Sequence, residues 1–208
     1  MNLHLCQPSR LCLREPIPEI DNAAAILAEA VNEHLAGRRS NAAALLASAN
    51  MPSVRSWTES LWGKNSAYAP SGPYLPSPPF LAATPERMPS LQLQQELHRR
   101  DGYYCRFCGI PRKQVRERIR KLYPEVQVWG RKNVERHAAL QCMWAQYDHL
   151  IPHSRGGKNI LTNLVDACAP CNYGRMQYTL QEAGLVNPLE RLPRDGAWRG
   201  LEQLLSSP

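Results

Sequence analysis

Two Cys-x-x-Cys pairs constrain this chain more than any other feature of its sequence. Cys105 and Cys108 form the first pair, and Cys168 and Cys171 form the second, 60 residues further along. Each pair can turn two thiolates toward one point, and two pairs complete a tetrahedral site for Zn²⁺. Four thiolates leave the ion no open position, so the predicted zinc site is structural. The alternative interpretations are two unrelated pairs of buried thiols or a redox pair.

The remaining cysteines and the start of the chain bear on its location. Cys6, Cys12 and Cys142 stand alone, which is typical of small buried hydrophobic residues, and no function is assigned to them. The first 13 residues are interrupted by polar residues and a proline, so they lack the apolar core of a secretory signal. No apolar run reaches the roughly 20 residues that a membrane-spanning helix needs. The sequence therefore predicts a cytoplasmic protein whose paired cysteines bind metal.

Positive charge is confined to the middle of the chain. The formal net charge of the 208 residues is +7, yet residues 1–89 hold seven basic and seven acidic residues. Residues 90–180 hold fifteen basic and seven acidic residues, and residues 181–208 hold three and four. A basic segment between neutral ones is the pattern expected of a nucleic-acid-binding domain with appended segments.

Composition divides the chain into four predicted segments. They are a small all-α module, a Pro-rich linker, a basic domain and a tail with one short helix, at residues 1–68, 69–89, 90–180 and 181–208. Three amphipathic patterns in the first segment predict short helices that serve packing or dimerisation rather than DNA contact. Seven prolines in the second segment predict an extended linker or a strap over a surface.

A set of polar residues surrounds the second cysteine pair. Along the chain it comprises Asp148-His149, Gly156-Gly157, Asn163-Leu164, and then Asn172 and Arg175 after Cys168-x-x-Cys171. This order and spacing closely resembles the HNH endonuclease family over about residues 103–175. The resemblance implies an α+β fold, in which a ββα-metal unit of two strands and a helix lies between zinc knuckles.

These residues also suit phosphodiester hydrolysis by their chemistry. With a pKa near 6.5, His149 has a neutral imidazole at pH 7 that can act as a general base toward water. Asp148 offers a carboxylate oxygen and Asn172 an amide oxygen, which suit a catalytic Mg²⁺ or Mn²⁺. Asn163 is expected to hold the His149 loop through its amide. Since consecutive strand residues face opposite sides, Asp148 and His149 can share a site only near a strand end.

Basic side chains around these residues are predicted to contact nucleic-acid phosphates. Arg155 and Lys158 lie in the loop between the two predicted strands, and Arg175 lies in the helix after the second cysteine pair. The others lie in a predicted basic helix over residues 112–121: Arg112, Lys113, Arg116, Arg120 and Lys121. The insert at residues 110–142 holds nine basic and three acidic residues, and its contacts would be sensitive to salt. Trp129 and Trp144 are interpreted as packing residues. His137 could rival a cysteine for zinc, but four cysteines already fill the site, and the role of His153 stays open.

Together these features predict a metal-dependent HNH endonuclease that hydrolyses DNA, nicking as a monomer and cutting both strands as a dimer or in a complex. A restriction or phage-defence role is expected, with a protein partner or a second copy bound through residues 1–89. One alternative is a non-catalytic zinc-dependent nucleic-acid-binding protein, and another is the nuclease subunit of a larger defence assembly. RNA is the alternative substrate.

Overall fold

The computed structural model describes residues 10–62, 66–72 and 86–206. Within these residues it contains eight α-helices, three short 3-10 helices and one two-stranded sheet. In chain order the helices and strands are α1 (Pro18–Leu35), α2 (Arg39–Ser48), α3 (Pro52–Ser60), α4 (Leu91–Asp101), α5 (Arg116–Leu122), α6 (Ala138–Cys142), β1 (Ala145–His149), β2 (Leu164–Cys168), α7 (Ala169–Arg175) and α8 (Gln203–Ser206). None of the described helices is long and apolar enough to cross a membrane.

Helices α1 to α3 form from the amphipathic patterns of the N-terminal segment. α1 begins at Pro18, before the cap that Asp21 could provide, because proline fits the first turn of a helix, where its missing N–H is not needed. The start of α3 at Pro52 has the same cause. Trp57 of α3 is buried, and its indole N–H donates to the backbone oxygen of Glu15 at 2.8 Å. The predicted helical module is therefore present.

The ββα unit implied by the resemblance is present around the second cysteine pair. β1 and β2 pair antiparallel, with Asp148 opposite Val165 and His149 opposite Leu164. α7 follows β2 directly and packs against both strands. Because His149 is the last residue of β1, the strict alternation of side chains ends there.

Two buried aspartates connect α4, β2 and the basic insert. α4 begins after Ser90, whose hydroxyl caps the helix as predicted. At the other end, Asp101 accepts from Arg100 at 2.7 Å and from the backbone N–H of Asp166 at 2.8 Å. The Asp166 carboxylate in turn pairs with Arg112 at 2.6 Å. Both aspartates are fully buried, and these partners offset the cost of removing their charges from water.

The N-terminal helices and the ββα unit share one hydrophobic core. α1 packs on α2, and α3 packs on α6, the short helix that precedes β1. The core extends from Leu27 and Trp57 through Ile119 and Leu140 to Val165. The division into four segments stays a prediction, and most of the predicted linker, residues 73–85, lies outside the described residues.

The tail packs against the rest of the chain and holds a shorter helix than residues 198–205 predict. Arg10 and Leu185 form a parallel bridge, and the indole N–H of Trp198 donates to the backbone oxygen of Arg112 at 2.7 Å. Gly200 and Leu201 both have positive φ, 65° and 62°. Because a right-handed helix needs negative φ, α8 can begin only after them.

His137 joins α6 to the N-terminal helices, and both its ring nitrogens are used inside the fold. Its Nε2–H donates to the backbone oxygen of Leu46 at 2.7 Å, while its Nδ1 accepts from the backbone N–H of Leu140 at 3.3 Å. Burial lowers the pKa of His137 to about 4, and the charges of Lys113 and Arg55 act in the same direction. His137 is therefore a neutral structural residue and not the rival zinc ligand.

Acidification should destabilise the protein through His137. The pKa is about 4 in the folded state against an ordinary 6.5, so the free energy of unfolding falls as the pH drops through this window. We expect this residue to contribute a loss of about 2 kcal/mol between about pH 7 and pH 5. Urea unfolding of the wild type and of His137→Gln at both pH values measures the loss, because glutamine does not titrate. An equal pH dependence in the two proteins would contradict the prediction.

Candidate active site and metal centre

The two cysteine pairs meet at one point in the fold. The Sγ atoms of Cys105, Cys108, Cys168 and Cys171 all lie within 4.8 Å of one another, and those of Cys108 and Cys168 are 3.7 Å apart. In a tetrahedral site with Zn–S distances near 2.3 Å, the sulfurs are separated by about 3.8 Å, whereas disulfide sulfurs are about 2.05 Å apart. The observed spacing is that of zinc ligands.

Local backbone structure presents both pairs. The first lies in a tight turn, where the N–H of Gly109 donates to the backbone oxygen of Cys105 at 2.9 Å. Gly109 has a φ of +74°, a conformation that glycine adopts without strain. In the second pair, Cys168 is the last residue of β2 and Cys171 lies in the first turn of α7. Half of the cysteine cluster is thus built into the junction between strand and helix.

The chemistry of this cysteine cluster fits a bound cation. Burial raises the pKa of Cys168 to about 11. Four adjacent buried thiols cannot all ionise unless a positive charge lies between them. Zn²⁺ supplies that charge and is bound by thiolates, so these residues would hold it in a closed structural site.

Removal of one thiol should remove the metal. We expect Cys171→Ser to lose stoichiometric zinc and to unfold at a lower temperature, because binding of structural zinc contributes directly to folding. Cys12→Ser is the matched control, since Cys12 is similarly buried but lies outside the cluster. Elemental analysis and thermal unfolding before and after chelation measure both effects. Full zinc content in Cys171→Ser would show that the cluster is not the metal site.

A groove of about 1240 Å³ opens beside the ββα unit. Asp148 and His149 of β1 and Asn172 of α7 all line it, so three of the four predicted catalytic residues reach one surface. His153 lines it as well, and its ring centroid lies 5.5 Å from that of His149. The groove is larger than the roughly 300–1,000 Å³ typical of small-molecule pockets. It therefore suits a polymeric substrate.

A neighbouring amide fixes the tautomer of His149. The Nε2 of His149 lies 2.7 Å from Oδ1 of Asn159, while Nδ2 of Asn159 donates to the backbone oxygens of Glu86 and Met88. Because an amide oxygen only accepts, the ring proton is on Nε2 and the lone pair is on Nδ1. Burial lowers the pKa of His149, against the effect of its bond to Asn159. The ring is thus neutral at pH 7, as a general base requires.

Asp148 is buried and paired with Arg175. The guanidinium donates to both carboxylate oxygens, from Nε at 3.1 Å and from Nη2. Burial raises the pKa of Asp148, and the charge of Arg175 opposes this shift. Arg175 is only 1% exposed and also donates to the backbone oxygens of His149, Leu150 and Tyr178. Its predicted phosphate contact is therefore wrong, because its guanidinium is used to hold the end of β1.

The donor chemistry of Asp148 and Asn172 fits Mg²⁺ or Mn²⁺. A carboxylate has about four lone-pair positions, so a bidentate arginine leaves positions that can accept a cation. Asn172 donates from Nδ2 to Oε1 of Gln146 at 3.4 Å, which leaves its amide oxygen as a ligand. These two residues would hold a hard cation at the groove, where waters and phosphate oxygens complete its coordination.

Asn163 closes the loop between β1 and β2. Its Oδ1 accepts from the backbone N–H of Ile151 at 2.8 Å, and its Nδ2 donates to the backbone oxygens of Ile151 and Lys158 at 3.2 and 3.0 Å. A Cβ at Gly157 would lie 1.7 Å from the backbone oxygen of Ile151, so the loop requires glycine there. Asn163 does not line the groove. Its hydrogen bonds hold the loop between β1 and β2 from outside the groove.

Loss of the Asn163 amide should destabilise the fold. Asn163→Ala removes three partly buried hydrogen bonds and leaves backbone groups without partners, so we expect the free energy of unfolding to fall by about 2–4 kcal/mol. Asn32→Ala is the control, because Asn32 is exposed and its side chain bonds only to that of Glu29 among the described contacts. Urea denaturation of both variants measures the difference. Equal small losses would contradict the assigned role.

Two predicted phosphate contacts in the insert are also wrong. Arg112 is 1% exposed and paired with Asp166, and Lys113 is buried with its Nζ donating to the backbone oxygen of Leu140 at 3.0 Å. Burial lowers the pKa of Lys113 to about 7. The predicted basic helix begins only at Arg116, whereas Lys113 forms a bridge beside β1. This bridge places the segment beside β1, so both side chains point into the protein and not onto a solvated helix face.

The other predicted phosphate contacts lie nearer the surface. They are Arg116, Arg120, Lys121, Arg155 and Lys158. Arg116 lines the groove, whereas Arg155 pairs with Glu182 at 2.5 Å. Sequence reasoning missed Arg87, an exposed residue just before α4 that also lines the groove. It missed Asn159 as well, because a partner of the His149 ring carries no motif of its own.

The comparisons with known proteins identify the class of this site. Residues 143–184 match the family model described as HNH endonuclease. The match contains β1, β2, α7, the second cysteine pair and all four predicted catalytic residues. Neither the curated proteins nor the solved structures compared with the chain give a match. Residues 143–184 therefore match an HNH endonuclease domain, and in the structure this ββα unit is joined to a four-cysteine cluster.

Proposed function

We propose that this protein is a metal-dependent endonuclease that hydrolyses DNA phosphodiester bonds. The observation that supports the proposal most strongly is that Asp148, His149 and Asn172 converge on one groove within the HNH segment. A neutral imidazole and two oxygen ligands for a hard cation are the groups that this hydrolysis requires. Arg87 and Arg116, which also line the groove, add positive charge for the phosphate backbone.

His149 serves as the general base. Its Nδ1 accepts a proton from a water molecule, while its Nε2–H stays bonded to Asn159 and keeps the ring in place. The hydroxide attacks phosphorus in line with the 3′ oxygen, and the P–O3′ bond breaks. Protonation of the leaving oxygen by solvent gives a 3′-hydroxyl and a 5′-phosphate, the products that the resemblance implies.

Asp148 and Asn172 provide the cation site. When bound there, Mg²⁺ or Mn²⁺ supplies positive charge to the scissile phosphate and the leaving oxygen. Arg175 keeps the Asp148 carboxylate in a fixed position through two hydrogen bonds. One such site cuts one strand, so a monomer nicks duplex DNA and double-strand cleavage needs a second copy or a partner.

The N-terminal segment is the proposed docking region. None of the described residues in 10–62 lines the groove, so this segment can bind a partner or a second copy without covering the catalytic residues. A partner that selects the target would suit a nuclease with a restriction or phage-defence role in the cytoplasm.

Loss of the base should abolish nicking. We expect His149→Ala to reduce the rate of plasmid nicking in Mg²⁺ or Mn²⁺ by about 10²–10⁴-fold, the usual contribution of general base catalysis. Conversion of supercoiled plasmid to the open circle measures the rate.

His34→Ala is the matched control for this measurement. His34 is hydrogen-bonded to Tyr123 and does not line the groove, so this variant should nick like the wild type. Circular dichroism and zinc content confirm that both variants fold. Unchanged nicking by folded His149→Ala would overturn the proposed function.

A further inference from the structure

A second cavity, of about 430 Å³, adjoins the groove and is lined mainly by aromatic rings. We refer to it as the aromatic pocket, and its lining residues are Trp62, Trp129, Asn133, Arg136, Trp144 and Tyr173. Trp62 follows the N-terminal helices, Trp129 lies in the basic insert, and Tyr173 belongs to α7. Trp144 and Tyr173 also line the groove, so the two spaces share a wall.

The rings of the aromatic pocket are only partly covered by the core and keep exposed surface. Tyr173 is 40% exposed, and Trp62, Trp129 and Trp144 are half-buried. The Tyr173 ring makes edge-to-face contacts with Trp62 and Trp144, at centroid distances of 5.6 and 6.4 Å. Tryptophan is highly buried on average, although rarely completely, so these half-buried rings are more open than those of a packed core. The interpretation of Trp129 and Trp144 as packing residues therefore describes only part of their surroundings.

Arginines give the aromatic pocket a positive charge. The guanidinium of Arg136 lies 4.6 Å from the centroid of Trp129, and that of Arg116 lies 4.1 Å from Trp129 and 4.6 Å from Trp144. Arg136 lines the pocket, while Arg116 lines the groove. Flat aromatic and guanidinium surfaces bind the π-face of a nucleobase, and the charges attract its phosphates.

We propose that the aromatic pocket binds an unstacked nucleobase of the strand that lies in the groove. This inference rests on the proposed nuclease function and names its substrate class: DNA with a single-stranded or extrahelical base near the cleavage site. Asn172, a cation ligand, and Tyr173, in the shared wall, are consecutive in α7. A base beside the scissile phosphate is therefore the one that reaches the pocket.

A binding comparison tests this inference. The probes are two DNA duplexes of one sequence, one fully paired and the other with a single extrahelical 2-aminopurine. The full-length protein carries His149→Ala, and no divalent ion is added, so that no cleavage occurs. We expect the extrahelical probe to bind about tenfold more tightly, with quenched 2-aminopurine fluorescence, because stacking on aromatic rings stabilises an unpaired base.

Substitutions at Trp62 separate the aromatic pocket from the groove, since Trp62 lines the pocket and not the groove. Trp62→Leu should lose the preference for the extrahelical probe, whereas Trp62→Phe, which keeps a ring, should retain most of it. Trp198→Leu, at a tryptophan outside both spaces, should retain it fully. If Trp62→Leu does not fold, Trp129→Leu against Trp129→Phe provides the same comparison, because Trp129 also lines the pocket and not the groove.

The results separate this inference from the nuclease proposal. Equal affinity for the two probes, or a preference that survives removal of the ring, would overturn the pocket assignment even for an active nuclease. A preference for the extrahelical probe that depends on the ring would support the pocket assignment, even if the wild-type protein failed to nick plasmid in Mg²⁺ or Mn²⁺.

Discussion

The convergence of four thiolates is the constraint on which the other features depend. Cys105 and Cys108 follow α4, whereas Cys168 and Cys171 form the junction of β2 and α7. The segment between the two cysteine pairs contains the basic insert and both strands. Because its two ends meet at the cluster, this segment must form a closed loop. A single ion at the cluster would thus fix the start of α7 against the segment that follows α4. Because Asn172 comes directly after Cys171, the same ion would fix the position of a catalytic ligand.

The ion pair of Asp148 and Arg175 continues this constraint from the cluster to the groove. Arg175 is the last residue of α7, and it reaches back to the carboxylate at the end of β1. Both side chains are buried, so removal of either one leaves an uncompensated charge, at a cost of about 3–5 kcal/mol. The pair therefore orients the Asp148 carboxylate and joins helix to strand.

The sequence predicts the ββα unit because its determinants are close together in the chain. The second cysteine pair and the predicted catalytic residues all lie within residues 148–172, and turns and short strands translate that spacing into geometry. Each Cys-x-x-Cys pair is a local signal as well, although the two pairs that meet in the cluster are 60 residues apart. The burial of Arg112 and Lys113 could not be predicted in this way. A run of basic residues indicates a solvated helix, and only tertiary pairing with Asp166 and Leu140 turns these two side chains inward.

The aromatic pocket shows the same limit of local prediction. Trp62, Trp129 and Tyr173 are separated by dozens of residues and carry no shared motif. Their proximity follows from the packing of the N-terminal helices on α6 and from the return of the chain at α7. Trp129 and Trp144 could be assigned to a core from composition alone, since no local signal distinguishes a ring that fills a core from one that lines a cavity.

The ring of His149 is positioned by parts of the chain that lie far outside the HNH match at residues 143–184. Asn159 orients the ring of His149, and Asn159 is itself held by the backbone oxygens of Glu86 and Met88. Those residues lie just before α4, which is attached to β2 through Asp101. A fragment limited to the match would therefore lack two zinc ligands and the backbone that fixes Asn159. The ββα unit supplies the reactive groups, and the surrounding chain sets their orientation.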